Sequence, residues 1–358
     1  VKVAIAEEVG KPLVLADLPV PEVGPRDVLV RIAASGLCHT DLHVINGSSA
    51  LPLPIVPGHE ACGIVEEVGR EVRRVVVGDR VLASVAPACG SCWWCVNGMS
   101  NQCELNPLVK AAQRFRLPDG RSVGAVCGCG TFAEAMVVHE ASLVPVQTGL
   151  SDEHLALLGC GVTTGLGAAL ITAGVTPGSS VAVIGCGGVG QSVIQGARIA
   201  GAAVIVAIDP VAERRDSGLK VGATHAVDPA DADPIEQVRA LTSGRGADFT
   251  FEVVGRTELM VQAFDMARQQ GTVTLVGMPG VRDQLTLPAI RAVFSGKKLV
   301  GSVVGGAQIL RDFPRFIALA ESGRLDLGSM VSRRISLDDI NLGIDLLTRA
   351  EGVRTVVV

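Results

Sequence analysis

Two textures of apolar and polar positions divide the chain. Up to about residue 150, short β-branched runs such as DVLVRIAASG, GIVEEVG, GDRVLASVAP and FAEAMVVHEASLVPV are broken every few residues by Gly and Pro. This spacing predicts an irregular, barrel-like β domain. From about residue 160, SSVAVIGCGGVGQSVIQGARIAGAAVIVAIDP reads as strand, glycine turn, helix and strand, with Val181–Ile184 the strand and Gln191–Ala200 the helix. Further strands are predicted in ATHAVDP, ADFTFEVVG, GTVTLVGMPG and KLVGSVVG. Helices are predicted between them, in AERRDSGLKVG, PIEQVRALTSG and TELMVQAFDMARQQG. Alternation of this kind predicts an α/β unit, a doubly wound parallel sheet covered by helices. Beyond about residue 305 the pattern turns helical again (RDFPRFIALAESG, LDDINLGIDLLTRAEG) and closes on the strand-like RTVVV.

Length and composition narrow the function classes. With 358 residues, two domains and a sizeable core are expected. Apolar residues make up 48%, yet no unbroken run approaches the roughly 18 residues of a membrane span. The opening VKVAIAEEVGKPLVLADLPVPE has no cationic segment followed by a long apolar one, so no signal peptide and a cytoplasmic location are expected. The formal charge of −5 and the lack of any basic block argue against a nucleic-acid partner. Tyr is absent, which excludes a dehydrogenase mechanism with a tyrosine proton donor.

Cysteine spacing is the sharpest chemical signal. Cys89, Cys92, Cys95 and Cys103 follow C-x2-C-x2-C-x7-C within a lobe spanning 87–105. Four thiolates at such spacing suit a closed, tetrahedral structural zinc. Such a site staples the fold and leaves no position for substrate. The adjacent Trp93 and Trp94 are expected to seal this lobe against the body. Cys38, His59 and Cys160 form a looser set, two sulfurs and one imidazole, that would leave a fourth position open as a catalytic zinc requires. Taken singly, each would more often be a buried structural residue.

Gly185, Gly187, Gly188 and Gly190 stand between the predicted strand and helix. They let the turn close, let backbone approach a pyrophosphate and let the helix pack on the strand. Asp209 closes the next strand, where a carboxylate can accept from both adenosine ribose hydroxyls and would repel a 2′-phosphate. NAD is therefore expected rather than NADP, and Arg214 could reach the same ribose.

Together these features resemble the zinc-dependent medium-chain alcohol dehydrogenase family. The resemblance covers nearly the whole chain and rests on GLCHTDLH (36–43), PGHEACGIVEEVG (57–69), the cysteine lobe, GCGVTTG (159–165), VIGCGGVG (183–190) and the near-terminal VRTVVV. It implies a GroES-like catalytic domain from 1–160 and 303–358, a Rossmann NAD-binding domain over 161–302, and two zinc ions per chain. Cys38, His59 and Cys160 would be the catalytic zinc ligands, with Glu60 a nearby carboxylate and Asp41 the acceptor that orients His59. Thr40 and His43 match a proton relay. His39 and Arg354 match pyrophosphate contacts, Thr164 matches a residue beside the nicotinamide, and Val189, Val254 and Val276 are implied as apolar neighbours of the cofactor. The remaining cysteines, Cys62, Cys127, Cys129 and Cys186, are expected to be packing residues.

The implied activity is reversible hydride transfer between NAD and a primary or aromatic alcohol or aldehyde. The implied assembly is a homodimer or homotetramer paired near KKLVGSVVG. Val85 stands at a pocket position often aromatic in the family, which suggests room for a bulky alcohol. GCGVTTGLGAAL also resembles the thiol-adduct formaldehyde dehydrogenases. Their glutathione-dependent members carry an acidic residue and an arginine at the places of Ser49 and Pro107, which makes glutathione adducts doubtful here. Another thiol carrier, or a subgroup that keeps NAD(H) tightly bound and passes electrons to an external acceptor, remains open. A zinc- and NAD-binding protein without catalysis is the alternative of another class. The intact Cys38, Thr40, His59 and Cys160 set argues against it.

Overall fold

A computed structural model describes residues 1–49, 51–110 and 112–358. The chain forms two compact units, residues 1–160 with 307–358, and residues 161–306. Residues 303–306 thus pack with the second unit. Among the described residues, no helix is long and apolar enough to cross a membrane.

The first unit is built on a seven-stranded sheet. Its hub is Asp27–Gly36, which pairs antiparallel with Glu60–Val68, with Ala135–His139 and with the C-terminal strand Arg354–Val357. Arg80–Ala83 and Leu143–Pro145 extend the sheet beyond Glu60–Val68, and Val331–Ile335 extends it beyond Arg354–Val357. Register shifts at Leu29/Val30 and Ile32/Ala34 mark irregularities in the hub strand. Such bulges increase local twist, which suits a sheet that curls. Val28, Val30, Ala61, Val65, Val81, Ala83, Met136 and Val138 fill one core beneath it.

The second unit is a six-stranded parallel sheet. Its strand order is His225–Val227, Val204–Ile208, Ser180–Ile184, Ala247–Glu252, Ala267–Leu275, Lys298–Gly301. Val181 and Val183 enter one apolar cluster and Ala182 and Ile184 the opposite one, so both faces of this strand are buried. That is the burial a doubly wound sheet demands. Strand order reverses between Ser180–Ile184 and Ala247–Glu252, which creates the crevice where such sheets bind ligands.

Two predicted boundaries move. The helix after the glycine turn is Gly188–Ile199, starting three residues earlier than expected, because Gly188 and Gly190 take helical backbone. The helix expected over TELMVQAFDMARQQG stops at Met266. Ala267 pairs instead with Ala247 and opens the strand Ala267–Leu275, and Gln270 lies at φ 59°. Sheet pairing overrides the helical pattern of ARQQ.

Candidate metal centres and nucleotide turn

Four elements deliver the second metal constellation to one end of the main sheet. The hub strand ends at Gly36, whose register partner is Glu60. That pairing sets Cys38, just past the hub strand, beside His59, just before the neighbouring one. Cys160 follows the helix Asp152–Leu157. A Cβ on Gly159 would sit 2.7 Å from the Ala83 carbonyl oxygen and 3.1 Å from Glu60 Cα, so only glycine lets this segment come so close. Arg354 opens the strand that pairs with the far end of the hub.

As a result, one ligand atom each from Cys38, His59, Glu60 and Cys160 lies within 4.8 Å of the other three. Asp41 organises this group from behind. Its carboxylate is 0% exposed and accepts from Cys38 N (3.0 Å), Gly58 N (2.9 Å) and His59 Nδ1 (3.2 Å). The last bond directs Nε2 of His59 away from Asp41, and this buried nitrogen has no hydrogen-bond partner. A buried, oriented and unpartnered imidazole nitrogen beside two sulfurs is the donor set that zinc takes.

The electrostatics agree with a cation site. Cys160 donates to Cys38 and, with help from His59 and against the effect of burial, holds the Cys38 thiol well below its usual range. Cys160 is pushed up in turn by that bond and by burial. Burial alone would lower His59, but the Asp41 carboxylate and the Cys160 sulfur raise it well above its ordinary value. The two sulfurs compete for one proton, a conflict that a divalent ion in their midst removes.

The helix His39–Ile45 carries the neighbouring candidates. Thr40 Oγ1 lies 3.8 Å from Cys38 Sγ, and His43 stands one turn further along. His39 is exposed. Val85 is buried. Arg354 is 6% exposed and ion-paired with Glu60, a partner no sequence spacing could suggest across 294 positions. Gly36 makes room for this pair, since a Cβ there would collide with Glu60 Oε2.

The cysteine lobe gathers as its spacing predicts. The sulfurs of Cys89 and Cys95 are 3.9 Å apart and those of Cys92 and Cys103 3.8 Å. A tetrahedron with metal–sulfur bonds of about 2.3 Å has an edge of about 3.8 Å. Burial would raise the Cys89 thiol, but the N–H groups of Ser91 and Cys92 hold it at about 6. Cys95 is pushed up to about 12 by burial and by its sulfur neighbours. All ten cysteines are free thiols. Contrary to expectation, the tryptophans do not seal the lobe. Trp93 and Trp94 are 58% and 37% exposed and pack edge to face on each other with ring centroids 4.9 Å apart.

In the second unit, Gly185 takes φ +94° and Val254 Cγ2 would meet a Cβ there at 2.6 Å. A Cβ on Gly190 would fall 1.8 Å from the Gly185 carbonyl oxygen. Gly187 caps the helix N-terminus, so the first free N–H groups surround the turn. Asp209 is buried beside it and accepts from Cys186 N (2.7 Å) and Val211 N (2.8 Å). Its carboxylate therefore also shapes the turn, a role that its spacing from the glycines does not predict. Arg214 Nη1 lies 3.9 Å from the position of a Gly187 Cβ, and its Nε is buried without a partner. Val254 is exposed at the rim, Val189 and Val276 are partly buried, and Thr164 lies half-buried on the helix Gly161–Gly167.

Known proteins share this architecture. The family model described as alcohol dehydrogenase GroES-like domain matches residues 24–148, and that described as zinc-binding dehydrogenase matches residues 188–322. An S-(hydroxymethyl)glutathione dehydrogenase of Synechocystis sp. is 38% identical over 368 aligned residues, covering 99% of both chains. An NDMA-dependent alcohol dehydrogenase of Amycolatopsis methanolica is 36% identical, covering 99% of this chain and 98% of the relative. The crystal structure of benzyl alcohol dehydrogenase from Acinetobacter calcoaceticus superposes with a TM-score of 0.92 at 29% identity, covering 99% of this chain and 98% of that one.

Proposed function

Because the chain belongs to the zinc-dependent medium-chain alcohol dehydrogenase family, we propose that it oxidises a primary or aromatic alcohol reversibly to the aldehyde with NAD. The observation that carries this reading is the buried Cys38, His59, Glu60 and Cys160 cluster with Asp41 bonded to the far nitrogen of the histidine. Cys38, His59 and Cys160 would hold the catalytic zinc, and the lobe cysteines a second, structural one. A zinc ion there supplies the Lewis acidity that lets an alcohol hydroxyl lose its proton, and NAD supplies the hydride acceptor.

The chain's own residues do the rest. Asp41 fixes the tautomer and direction of His59. The Thr40 hydroxyl takes the substrate proton outward, toward His43 one turn along the same helix. Glu60, held by Arg354, keeps a carboxylate beside the ligands. In the second unit, the turn Gly185–Gly190 would hold the pyrophosphate at a helix N-terminus. Asp209 would accept from the adenosine ribose with its remaining lone pairs, and Arg214 would reach the same ribose. Thr164 would stand beside the nicotinamide, with Val189, Val254 and Val276 as apolar neighbours of the cofactor, whereas Arg354 is taken up by Glu60.

The small Val85 supports a bulky or aromatic substrate, as does the likeness to a benzyl alcohol dehydrogenase. A second reading draws on the NDMA-dependent relative: NAD(H) stays tightly bound and electrons pass to an external acceptor. A thiol adduct of formaldehyde is a third, with Ser49 and Pro107 weighing against glutathione as carrier. The edge strand Lys298–Gly301 has one strand neighbour, and the adjoining helix exposes Ile290, Val293 and Phe294, the last at 77%. This supports a homodimer through that edge. Free thiols throughout fit a reducing, cytoplasmic setting.

A panel of alcohols and aldehydes with NAD or NADP, with and without thiol carriers, tests the assignment. Oxidation of benzyl-type alcohols with NAD is expected. Turnover confined to the smallest alcohols contradicts the role of Val85. Stoichiometric NAD released from freshly purified protein on unfolding favours the tightly bound reading. Asp209→Ala should narrow the preference for NAD over NADP, and an unchanged ratio rejects Asp209 as selector.

A further inference from the structure

Four thiolates around a divalent ion leave about two negative charges in a partly buried lobe. Backbone donors offset part of this. Ser91 N and Cys92 N donate to Cys89 Sγ at 3.4 and 3.3 Å, and Cys89 N and Leu105 N donate to Cys103 Sγ at 3.3 and 3.4 Å. None of these carries a full charge.

A cation reaches the lobe's root from the β domain. Arg74 is half-buried, and its guanidinium donates through Nη2 to the Ala88 carbonyl (2.7 Å) and through Nη1 to the carbonyls of Ala141 (2.9 Å) and Glu140 (3.2 Å). The Ala88 carbonyl and the Cys89 N–H belong to one peptide unit. Arg74 therefore grips the oxygen of the same peptide whose N–H donates to Cys103 Sγ, linking the first ligand of the lobe to the last. Bonds in series polarise one another, so a cation on the carbonyl strengthens the N–H as a donor to sulfur. The Ala88 N–H donates to the same Ala141 carbonyl at 2.9 Å, which closes the clamp. Arg74 is itself anchored, since Glu140 Oε2 accepts from Arg73 N (2.7 Å) and Arg74 N (3.0 Å). Arg74 also lies within the electrostatic reach of Cys89, Cys95 and Cys103.

We propose that Arg74 is the outer-sphere cation and positioning residue of the four-cysteine centre, holding the first and last ligands in register through the Ala88–Cys89 peptide. The proposal rests on the lobe holding zinc, and it makes no claim on the alcohol chemistry.

The test is the rate at which purified protein gives up zinc to a chromogenic chelator such as 4-(2-pyridylazo)resorcinol. Wild type should hold about two zinc per chain. Arg74→Gln, which keeps a donor and removes the charge, should release one zinc about ten-fold to a hundred-fold faster and the other at the wild-type rate. Arg74→Lys, which keeps the charge and loses the planar fork, should fall between Gln and wild type. Release from Arg74→Gln at the wild-type rate overturns the proposal, and so does equal acceleration of both ions, the signature of general loosening. Lys as fast as Gln overturns the role of the charge. Wild type without lobe zinc overturns the metal reading and the proposal together, whereas a zinc-loaded lobe indifferent to Arg74 overturns the proposal alone.

Discussion

Asp41→Asn isolates the part of the proposed catalytic site that would not itself be a ligand. The carboxylate serves two sides: Oδ1 accepts from Gly58 N and His59 Nδ1, and Oδ2 accepts from Cys38 N. An amide offers one oxygen. With that oxygen kept toward Gly58 and His59, the new NH₂ faces the Cys38 N–H, a donor against a donor. One buried N–H left unsatisfied costs about 1–3 kcal/mol, and the surviving bonds fall from the charged to the neutral range. A total loss of about 2–4 kcal/mol follows. The change also makes His59 a weaker ligand and loosens Cys38, so zinc affinity at this site should fall about ten-fold to a hundred-fold. Chelator competition followed by metal analysis reads this directly, with the lobe zinc as internal reference. Wild-type zinc affinity in Asp41→Asn, or equal weakening at both sites, would refute the reasoning.

Two other perturbations test different parts of the molecule. Gly190→Ala places a methyl 1.8 Å from the Gly185 carbonyl. Calorimetry should find NAD binding lost while zinc content is unchanged, and wild-type affinity would show that the turn does not hold the dinucleotide as described. Glu140→Gln tests acid stability. Burial pushes this carboxyl up, but the N–H groups of Arg73 and Arg74 and the charge of Arg26 outweigh it and hold it below its usual value. A depressed folded pKa stabilises above the unfolded value of about 4.3 and loses that stabilisation as pH falls through the folded value. The stability gap between wild type and Glu140→Gln in urea should therefore be full near neutrality and close below about pH 4. A gap independent of pH would contradict the assignment.

Much of this was readable from the chain because it is local. The cysteine lobe lies within fifteen residues, and its ligand spacing alone brings the sulfurs to tetrahedral distances. The glycine turn is likewise local, flanked by a strand whose residues Val181–Ile184 are all apolar. The second cluster is not local. Cys38, His59 and Cys160 meet because Gly36 pairs with Glu60 and because Gly159 admits a close approach, and neither fact has a one-dimensional signature. Family motifs supplied what spacing could not. Long-range contacts stayed invisible, as with the ion pair of Arg354 and Glu60 and the bond from Arg74 to the Ala88 carbonyl. The misread elements have physical causes too. ARQQ carries a helical pattern but is claimed by sheet pairing, and the paired tryptophans satisfy each other edge to face rather than closing the lobe.

Zinc content measured in parallel for wild type and Cys160→Ser tests the central assignment most directly. About two zinc per chain are expected in wild type and about one in the variant, with alcohol oxidation abolished and NAD binding retained. A Cys160→Ser protein that keeps its full complement of zinc and its turnover would contradict the account.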